Sequence, residues 1–421
     1  MEGRRPEHAV SIHSQPFLGV PFTVKDSVAV KGMLYTAGSK MRKDILADED
    51  AETVSLMRKA GAIPIAITNV PEMLLWWDAN NLLYGRTFNP YDKSRVAGGS
   101  SGGEAAIISS AGSLMGIATD IGGSIRIPAN FCGVFGHKTT PLVVPMGGHY
   151  PNPSPKREPL LSFGPICRYA TDLKPLVKVL AGENVHLLKL DEKVNISDLT
   201  FYYCENYNFD PLCTQVQSEI LDAIKKSLDY FKQKGAQIKK IDLEQLKDSF
   251  DIWACNMKTD DAYRFSEELS NRNGDINVWL ELIKYFFCLS NHTLPALCGA
   301  VFDKIKVKRE KLQKMRQTGD DLKNHLHQSL GNNGVLLFPS HPETAPKYCT
   351  TLFKFMNCSF TGIFNVLNVA VTNVPLGLDR NDLPVGFQVV AGPYNDHLTI
   401  AVAQEIENEF GGWVSPSKII C

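Results

Sequence analysis

Three short segments of the 421-residue chain each place one reactive side chain among small or apolar residues. Lys25 ends the text GVPFTVK, Ser100 lies in AGGSSGGE, and Ser124 lies in TDIGGSIR. A serine hydroxyl is a poor nucleophile until a base takes its proton, and lysine can be that base only where burial lowers its pKa. Because GVPFTV has the apolar character of a strand, it would carry Lys25 into a covered site. The three residues predict a Ser-Ser-Lys hydrolase.

The glycines beside the two serines predict the rest of the machinery. Ile121, Gly122, Gly123 and Ser124 offer consecutive backbone N–H groups to an oxyanion, because two glycines adopt conformations closed to other residues. In the other cluster, GGSSGG allows a sharp turn that would present Ser100 between base and nucleophile as a proton relay. A nucleophilic serine in an oxyanion-binding loop is therefore expected.

The order and spacing of these segments resemble the amidase signature family. Further text is similar to its fatty-acid amide hydrolases, above all the second paralogue of animals: TNVPE at 68–72, YGRTFNP at 84–90, FGHK at 135–138, GPICR at 164–168 and GFQVVAGP at 386–393. The likeness covers nearly the whole chain. It implies an α/β fold, a large twisted mixed sheet covered on both faces by helices.

The resemblance also implies roles, carried over by motif. Lys25 is then the base and acid, Ser100 bridges, and Ser124 is acylated, so that the C–N bonds of fatty-acid primary amides and N-acylethanolamines are cleaved through an acyl-enzyme. We expect Ser101 to hydrogen-bond near Lys25. Two further residues are interpreted as scaffold for the loops, Asp120 and Arg126. The chemistry needs no metal and no organic cofactor.

Apolar side chains bear on the substrate class. Leu74, Leu75, Trp76 and Trp77 follow the TNVPE text, and the resemblance implies that they lie beside an acyl channel. A run of bulky residues suits core packing equally well. Both interpretations stay open.

A second apolar group repeats at i, i+3, i+4 and i+7, which by default is the buried face of an amphipathic helix. Its members are Trp279, Leu282, Ile283 and Phe286, with Phe287 and Leu289 beside them. In membrane-active relatives, the corresponding region forms a membrane-facing cap, so the resemblance offers that alternative. Only a measurement of exposure separates the two, since periodicity does not say what covers the face.

Other functions are weighed against this one. Ser101 matches G-x-S-x-G, and His137, His341 or His397 could complete a Ser-His esterase, but no buried strand precedes the motif. We expect structural roles for these histidines. A lipid-binding pseudoenzyme or inactive fragment is a second alternative. The third is an amidotransferase-type subunit, which the fatty-acid-amide-like C-terminal text disfavours.

Composition limits the partners. With 44 Lys and Arg against 45 Asp and Glu, the net charge of −1 gives no reason to expect nucleic acid. Ten cysteines include no CxxC pair and no Cys/His cluster at metal spacing, which favours reduced thiols. The expected partners are a fatty-acid amide, a peripheral membrane or lipid surface, and a second copy of the chain in a homodimer.

No compositional break divides the chain, so residues 1–421 are interpreted as one domain. Its expected parts are a catalytic core over about 18–175, a helical cap-like region over about 245–330 and a C-terminal core over about 331–415. Only 24 residues precede Lys25, so we expect the N-terminal helices usual for the family to be missing. We expect an intracellular protein without signal peptide or transmembrane segment, since the uncharged run 355–378 contains asparagines and a proline that suit buried core.

Strands alternate with helices in the predicted element order, as in a sheet covered by helices. The predicted strands are 18–24, 62–68, 200–204, 236–241, 335–339 and 385–390, and the predicted helices are 50–59, 103–113 and 397–410. The stretch 276–330 is expected to be helical.

Overall fold

A computed structural model of the protein describes residues 15–205, 207 and 212–417. Its strands are β1 (Pro21–Lys25), β2 (Ile63–Thr68), β3 (Asn80–Asn81), β4 (Gly85–Arg86), β5 (Met115–Asp120), β6 (Phe135–Lys138), β7 (Ser162–Cys167), β8 (Thr200–Tyr203), β9 (Gln237–Lys240), β10 (Gly334–Phe338), β11 (Ala370–Leu378) and β12 (Pro384–Ala391). Ten of these form one sheet in the order β2-β1-β5-β7-β6-β11-β12-β10-β8-β9, and β3 and β4 form a small hairpin.

The large sheet is mixed. β1 pairs in parallel with β2 and β5, and β8 pairs in parallel with β9 and β10. The central pairs, from β5 through β7, β6, β11 and β12 to β10, are antiparallel. The parallel pair β1–β5 brings the carboxyl ends of both strands together, because the carboxyl ends of parallel strands meet at one edge of a sheet.

Helices cover the sheet. They are α1 (Glu52–Lys59), α2 (Gly102–Ser109), α3 (Arg126–Phe131), α4 (Leu173–Ala181), α5 (Ser218–Gln233), α6 (Ser249–Met257), α7 (Phe265–Leu269), α8 (Val278–Phe286), α9 (Leu294–Lys304), α10 (Arg309–Leu330), α11 (Ser359–Val366) and α12 (Asp396–Phe410).

Strand β10 shows that the sheet is covered on both faces. Val335 and Leu337 belong to a core cluster with α1, α4, α5 and α12, whereas Leu336 and Phe338 belong to one with α6, α10 and α11. Because successive side chains of a strand point to opposite faces, the two clusters lie on opposite sides of the sheet. The predicted α/β fold with a large mixed sheet and helices on both faces is confirmed.

Most predicted elements are present with shifted ends. The helix predicted over 103–113 ends at Ser109, since Ala111 adopts a left-handed conformation (φ 61°) that a helix cannot continue. The helical stretch 276–330 divides into α8, α9 and α10. Strands β3 to β7 and β11, and helices α3 to α7 and α11, were not predicted individually. The division into a core and a cap stays a prediction.

The uncharged run 355–378 is part of the core, as predicted. It contains the end of a 3₁₀ helix (Thr351–Cys358), the buried helix α11 and strand β11. Among the helices that the structure describes, none is long and apolar enough to cross a membrane.

The default interpretation of the apolar stripe at 279–286 is wrong for Trp279, Ile283 and Phe286, and only Leu282 packs against the core. α8 exposes Trp279, Ile283 and Phe286 by 64%, 58% and 80%, and Phe287 and Leu289 after it are each 71% exposed. The helix packs through buried Val278 and half-buried Leu282 on the cluster that contains α9. The periodicity correctly indicates an amphipathic helix, but three of the four side chains that it marks face outward.

Candidate active site

Two parallel strands bring the predicted base to the edge of the sheet. Thr23 pairs with Gly116 and Val24 with Ile117, so that Lys25, the last residue of β1, lies beside the end of β5. Both strands are almost wholly buried, which follows from their apolar sequences. Lys25 is therefore held by strands on either side, β2 and β5, and only its amine is free to act.

The Lys25 amine is buried and bonded on three sides. Its side chain is 1% exposed, and Nζ lies 2.8 Å from Ser100 Oγ, 2.9 Å from Thr119 Oγ1 and 3.1 Å from the Thr119 carbonyl oxygen. Burial lowers the pKa of Lys25 to about 7, although the charges of Asp120 and Glu104 oppose the change. The first sequence prediction, a lysine with a depressed pKa beside Ser100, matches this geometry.

The carboxyl group of Glu104 lies close to Lys25. Thr23 and Thr68 donate to it through their hydroxyls, and Glu104, which lies in α2, is fully buried. Burial raises the pKa of Glu104 to about 7, against the hydrogen bonds and the charge of Lys25. Lys25 and Glu104 together therefore carry little net charge in a region closed to solvent. This is compatible with a neutral Lys25.

The serine loop enters α2 through tightly packed glycines. A Cβ atom on Gly99 would lie 2.7 Å from the Trp76 carbonyl oxygen, and one on Gly103 would lie 2.4 Å from the Asn69 nitrogen. Ser101 donates its backbone N–H to the Ser124 carbonyl oxygen (3.2 Å), which joins the two serine loops. Its hydroxyl is buried without a partner among the described residues, so the predicted side-chain bond near Lys25 is wrong.

A buried ion pair shapes the loop of Ser124. Asp120, at the end of β5, accepts from the backbone N–H groups of Gly123 (2.8 Å) and Ile125 (3.0 Å) and from two guanidinium nitrogens of Arg126. Although burial favours the protonated acid, Arg126 holds the pKa of Asp120 well below its usual range. Arg126 further donates to Thr361 O, Gln388 Oε1 and Asn365 Oδ1, so the predicted scaffold role fits its contacts.

The predicted oxyanion donors are not equivalent. Gly123 gives its N–H to Asp120, whereas the N–H groups of Ile121, Gly122 and Ser124 have no acceptor among the residues that the structure describes. Ser124 itself is half-buried. In the part of the chain that is described, no hydrogen bond joins its hydroxyl to that of Ser100. Three backbone donors, rather than four, remain for an oxyanion.

Two side chains that sequence reasoning missed fix this loop from outside. Trp253 of α6 donates its indole N–H to the Ile121 carbonyl oxygen (2.9 Å), and Thr361 of α11 donates to the Gly122 carbonyl oxygen (2.8 Å). Because the C=O and N–H of a trans peptide point in opposite directions, the first bond directs the Gly122 N–H away from the indole nitrogen. Trp253 lies 129 positions beyond Ser124, and no local motif signals the contact.

The segment 74–77 packs beside the serine loop. Trp77 is 4% exposed and lies against Phe131 and His341, which is core packing. Leu74, Leu75 and Trp76 are only half-buried, and Trp76 donates its indole N–H to Thr351 Oγ1 (3.0 Å). Core packing is thus right for Trp77, while the acyl-channel interpretation of the other three stays a prediction.

No Ser-His pair forms around Ser101 among the described residues. His137 bonds to Thr372 and Asp396, His341 lies 3.0 Å from the Glu343 carbonyl oxygen, and the ring of His397 is 4.0 Å from Glu192. Ser101 also follows a loop and not a strand. These contacts agree with the structural roles expected for the three histidines.

The buried ion pair generates a stability prediction. Replacing Asp120 by Asn leaves the guanidinium of Arg126, which is 0% exposed, without its counter-charge, and we expect the free energy of unfolding to fall by about 3–5 kcal/mol. Urea unfolding followed by tryptophan fluorescence measures this. The control is Asp191→Asn, which breaks only exposed pairs with Lys174 and Lys178 and should leave the unfolding midpoint nearly unchanged. Equal losses in both variants would contradict a special role for Asp120.

Comparisons with known proteins identify the family of this chain. The profile of the amidase family matches residues 5–400. Fatty-acid amide hydrolase 2 of Homo sapiens is 42% identical over 99% of this chain and 79% of its own length, and fatty-acid amide hydrolase 2-B of Danio rerio is 40% identical over 96% and 78%. A glutamyl-tRNA(Gln) amidotransferase subunit of Brachyspira hyodysenteriae is 29% identical over 94% of this chain and 85% of its own length.

Solved structures share the fold. A glutamyl-tRNA(Gln) amidotransferase subunit from Thermotoga maritima superposes with a TM-score of 0.75 at 24% identity, over 95% of this chain and 86% of its own. A fatty acid amide hydrolase structure superposes with a TM-score of 0.74 at 21% identity, over 96% and 75%. Similarity at this level of identity concerns the fold alone. From the family profile and the close relatives together, the chain belongs to the amidase signature family and is an amide-hydrolysing enzyme.

Proposed function

We propose that the protein hydrolyses fatty-acid amides through an acyl-enzyme on Ser124, with Ser100 as proton relay and Lys25 as base and acid. The observation that carries the proposal is the 2.8 Å contact between Ser100 Oγ and the buried amine of Lys25. A lysine with a pKa of about 7 is half neutral at neutral pH, so it can accept a proton without the help of a histidine.

The steps balance with these three side chains alone. Ser124 Oγ attacks the amide carbonyl carbon while its proton passes to Ser100, whose own proton passes to Lys25. The tetrahedral intermediate then collapses, the C–N bond breaks, and the proton returns through Ser100 to the leaving nitrogen. Because an unprotonated amine leaves poorly, this return is essential for amides. Water attacks the ester next, and the same groups release the fatty acid in reverse.

The loop beside Ser124 supplies the oxyanion donors. The N–H groups of Gly122 and Ser124 are free among the described residues, and the Ile121 carbonyl is held from behind by Trp253. A donor fixed before the reaction costs no reorganisation when the charge develops, and losing one such donor slows turnover by about 10²–10³-fold. Trp253 therefore acts on the rate through the orientation of the Gly122 peptide.

An apolar row next to this loop suits a fatty acyl chain. Ring centroids of Trp253 and Phe250 lie 6.2 Å apart, those of Phe250 and Phe355 5.5 Å, and those of Phe355 and Phe302 5.8 Å. Phe302 is 52% exposed, so the row extends from the oxyanion loop to the surface. Half-buried Leu75 packs on α9, where Phe302 lies. The names of the 40–42% identical relatives support the same substrate class.

Covalent labelling tests the proposal directly. A fluorophosphonate probe should label wild-type protein at Ser124, and oleamide should be hydrolysed; Ser124→Ala and Lys25→Ala should abolish labelling and slow turnover at least about 10³-fold. The matched control is Ser197→Ala, an exposed serine that bonds only to Asp198. Folded wild-type protein that neither labels nor turns over oleamide would favour the binding-protein alternative. Labelling at Ser101 would refute the assignment.

The lowered pKa of Lys25 generates a pH prediction. Only neutral Lys25 can take the proton, so kcat/KM for oleamide should rise about tenfold per pH unit below 7 and level off above it. A short-chain ester, whose leaving group needs no proton, should show the same acid limb. A pH profile that is flat from pH 5 to 8 would exclude Lys25 as the base.

We propose in addition that the exposed side of α8 docks on a lipid surface. Five large apolar side chains on this helix and directly after it are each more than half exposed: Trp279, Ile283, Phe286, Phe287 and Leu289. An apolar patch of this kind marks an interaction site. The position of this patch supports a lipid surface. The neighbouring helix α9 carries Phe302, which is the exposed end of the aromatic row. An acyl chain that leaves a membrane would therefore enter the row at Phe302.

Vesicle binding checks this proposal. Phe286→Ser with Phe287→Ser should lower co-sedimentation with dioleoyl-phosphatidylcholine vesicles at least about tenfold, while hydrolysis of a soluble short-chain amide is unchanged. Leu18→Ser, a 55% exposed leucine ahead of β1, is the control and should bind like wild type. Unchanged sedimentation of the double variant, together with loss of a dimer in size-exclusion chromatography, would assign the patch to the predicted homodimer instead.

A further inference from the structure

A threonine and a histidine lie behind the catalytic lysine. Thr119, the residue before Asp120 on β5, presents both its hydroxyl and its carbonyl oxygen to Lys25 Nζ, at 2.9 and 3.1 Å. On the far side of that hydroxyl, His149 Nε2 lies 3.3 Å away. The three side chains are 1–5% exposed, so the arrangement is closed to bulk water. No sequence motif predicts a role for Thr119 or His149.

The position of the proton on His149 follows from its other contact. Nδ1 lies 2.9 Å from the Pro151 carbonyl oxygen, which can only accept, so Nδ1 carries the hydrogen. Burial and the nearby charge of Lys25 lower the pKa of His149 to about 3, and the ring is therefore neutral. A neutral imidazole has one N–H, which leaves Nε2 as an acceptor. The hydroxyl of Thr119 must donate to it.

The hydrogen bond from the Thr119 hydroxyl to His149 determines how the hydrogens and the lone pair of Lys25 are directed. With its hydrogen directed to His149, the Thr119 hydroxyl offers only lone pairs to Nζ. A neutral amine has two hydrogens and one lone pair, and the two oxygens of Thr119 take both hydrogens. Whereas the protonated amine donates to Ser100, the neutral amine is left with its lone pair facing Ser100 Oγ, so Ser100 donates in the 2.8 Å contact. That is the direction in which the proposed relay must run.

We infer that His149 is a positioning residue, which orients the Thr119 hydroxyl so that the lone pair of Lys25 faces Ser100. The inference rests on the proposed function. Without an acceptor at Nε2, the Thr119 hydroxyl can rotate and donate to the lysine lone pair, and Ser100 then loses its acceptor. The other titratable groups that face Lys25 are Asp120 from β5 and Glu104 from α2, and neither contacts the Thr119 hydroxyl.

A double-mutant cycle tests the inference. His149→Phe keeps a ring that can pack on Phe163, whose ring centroid lies 5.6 Å from that of His149, but it removes the hydrogen-bond acceptor. We expect kcat for oleamide to fall about tenfold, while KM changes by less than about twofold. His149→Gln restores an acceptor and should recover most of kcat. Thr119→Val removes the hydroxyl itself, and in that background His149→Phe should cost no further activity. Thermal unfolding midpoints verify that every variant is folded.

The outcomes separate the inference from the proposed function. Equal losses from His149→Phe with and without the Thr119 hydroxyl would overturn it, as would wild-type kcat in His149→Phe. Rates of fluorophosphonate labelling at Ser124 should follow kcat through the cycle, since labelling needs the same relay. If Ser124→Ala retains wild-type turnover, the proposed function itself fails, whatever the cycle shows.

Discussion

The ion pair between Asp120 and Arg126 is the interaction on which the site depends. One carboxylate accepts from two backbone N–H groups of the Ser124 loop and from two nitrogens of the guanidinium, which also donates to α11 and β12. Two charges without solvent are stable only when all their hydrogen-bonding capacity is used. Strand, loop and helix are therefore fixed together, and Ser124 is placed by the same contacts that neutralise the charge.

Lys25, unlike Arg126, is surrounded by hydrogen-bond partners that carry no charge. Among the described residues, no carboxylate bonds directly to its amine; the partners are a serine, a threonine and a backbone carbonyl. Glu104 is near, but burial keeps its pKa raised while two threonine hydroxyls hold it in place. A direct ion pair would hold the lysine protonated and useless as a base. The site thus combines one ionised pair, Asp120 and Arg126, with a lysine on the neighbouring strand whose pKa is lowered to about 7.

The sequence could predict residues that lie in short local motifs, but not residues whose contacts join distant parts of the chain. Lys25, Ser100 and Ser124 lie in local text whose glycines and apolar residues carry their own physical reason, and the structure brings Lys25 and Ser100 together. Trp253 and His149 could not be found, because their contacts form only when separate elements pack. The direction of the α8 stripe was unpredictable for a related reason: a hydrophobic period marks a face and not what lies against it.

The bond from Trp253 to the loop of Ser124 has a consequence for exchanges between related chains. α6 lies in the chain between strands β9 and β10, and the indole of its Trp253 both bonds to the Ile121 carbonyl oxygen and begins the aromatic row. Under the proposed function, an exchange in that region that alters which acyl chain fits also changes the support of the Gly122 peptide. Selectivity and rate then share one side chain, and a chimera that replaces α6 must keep a tryptophan at position 253.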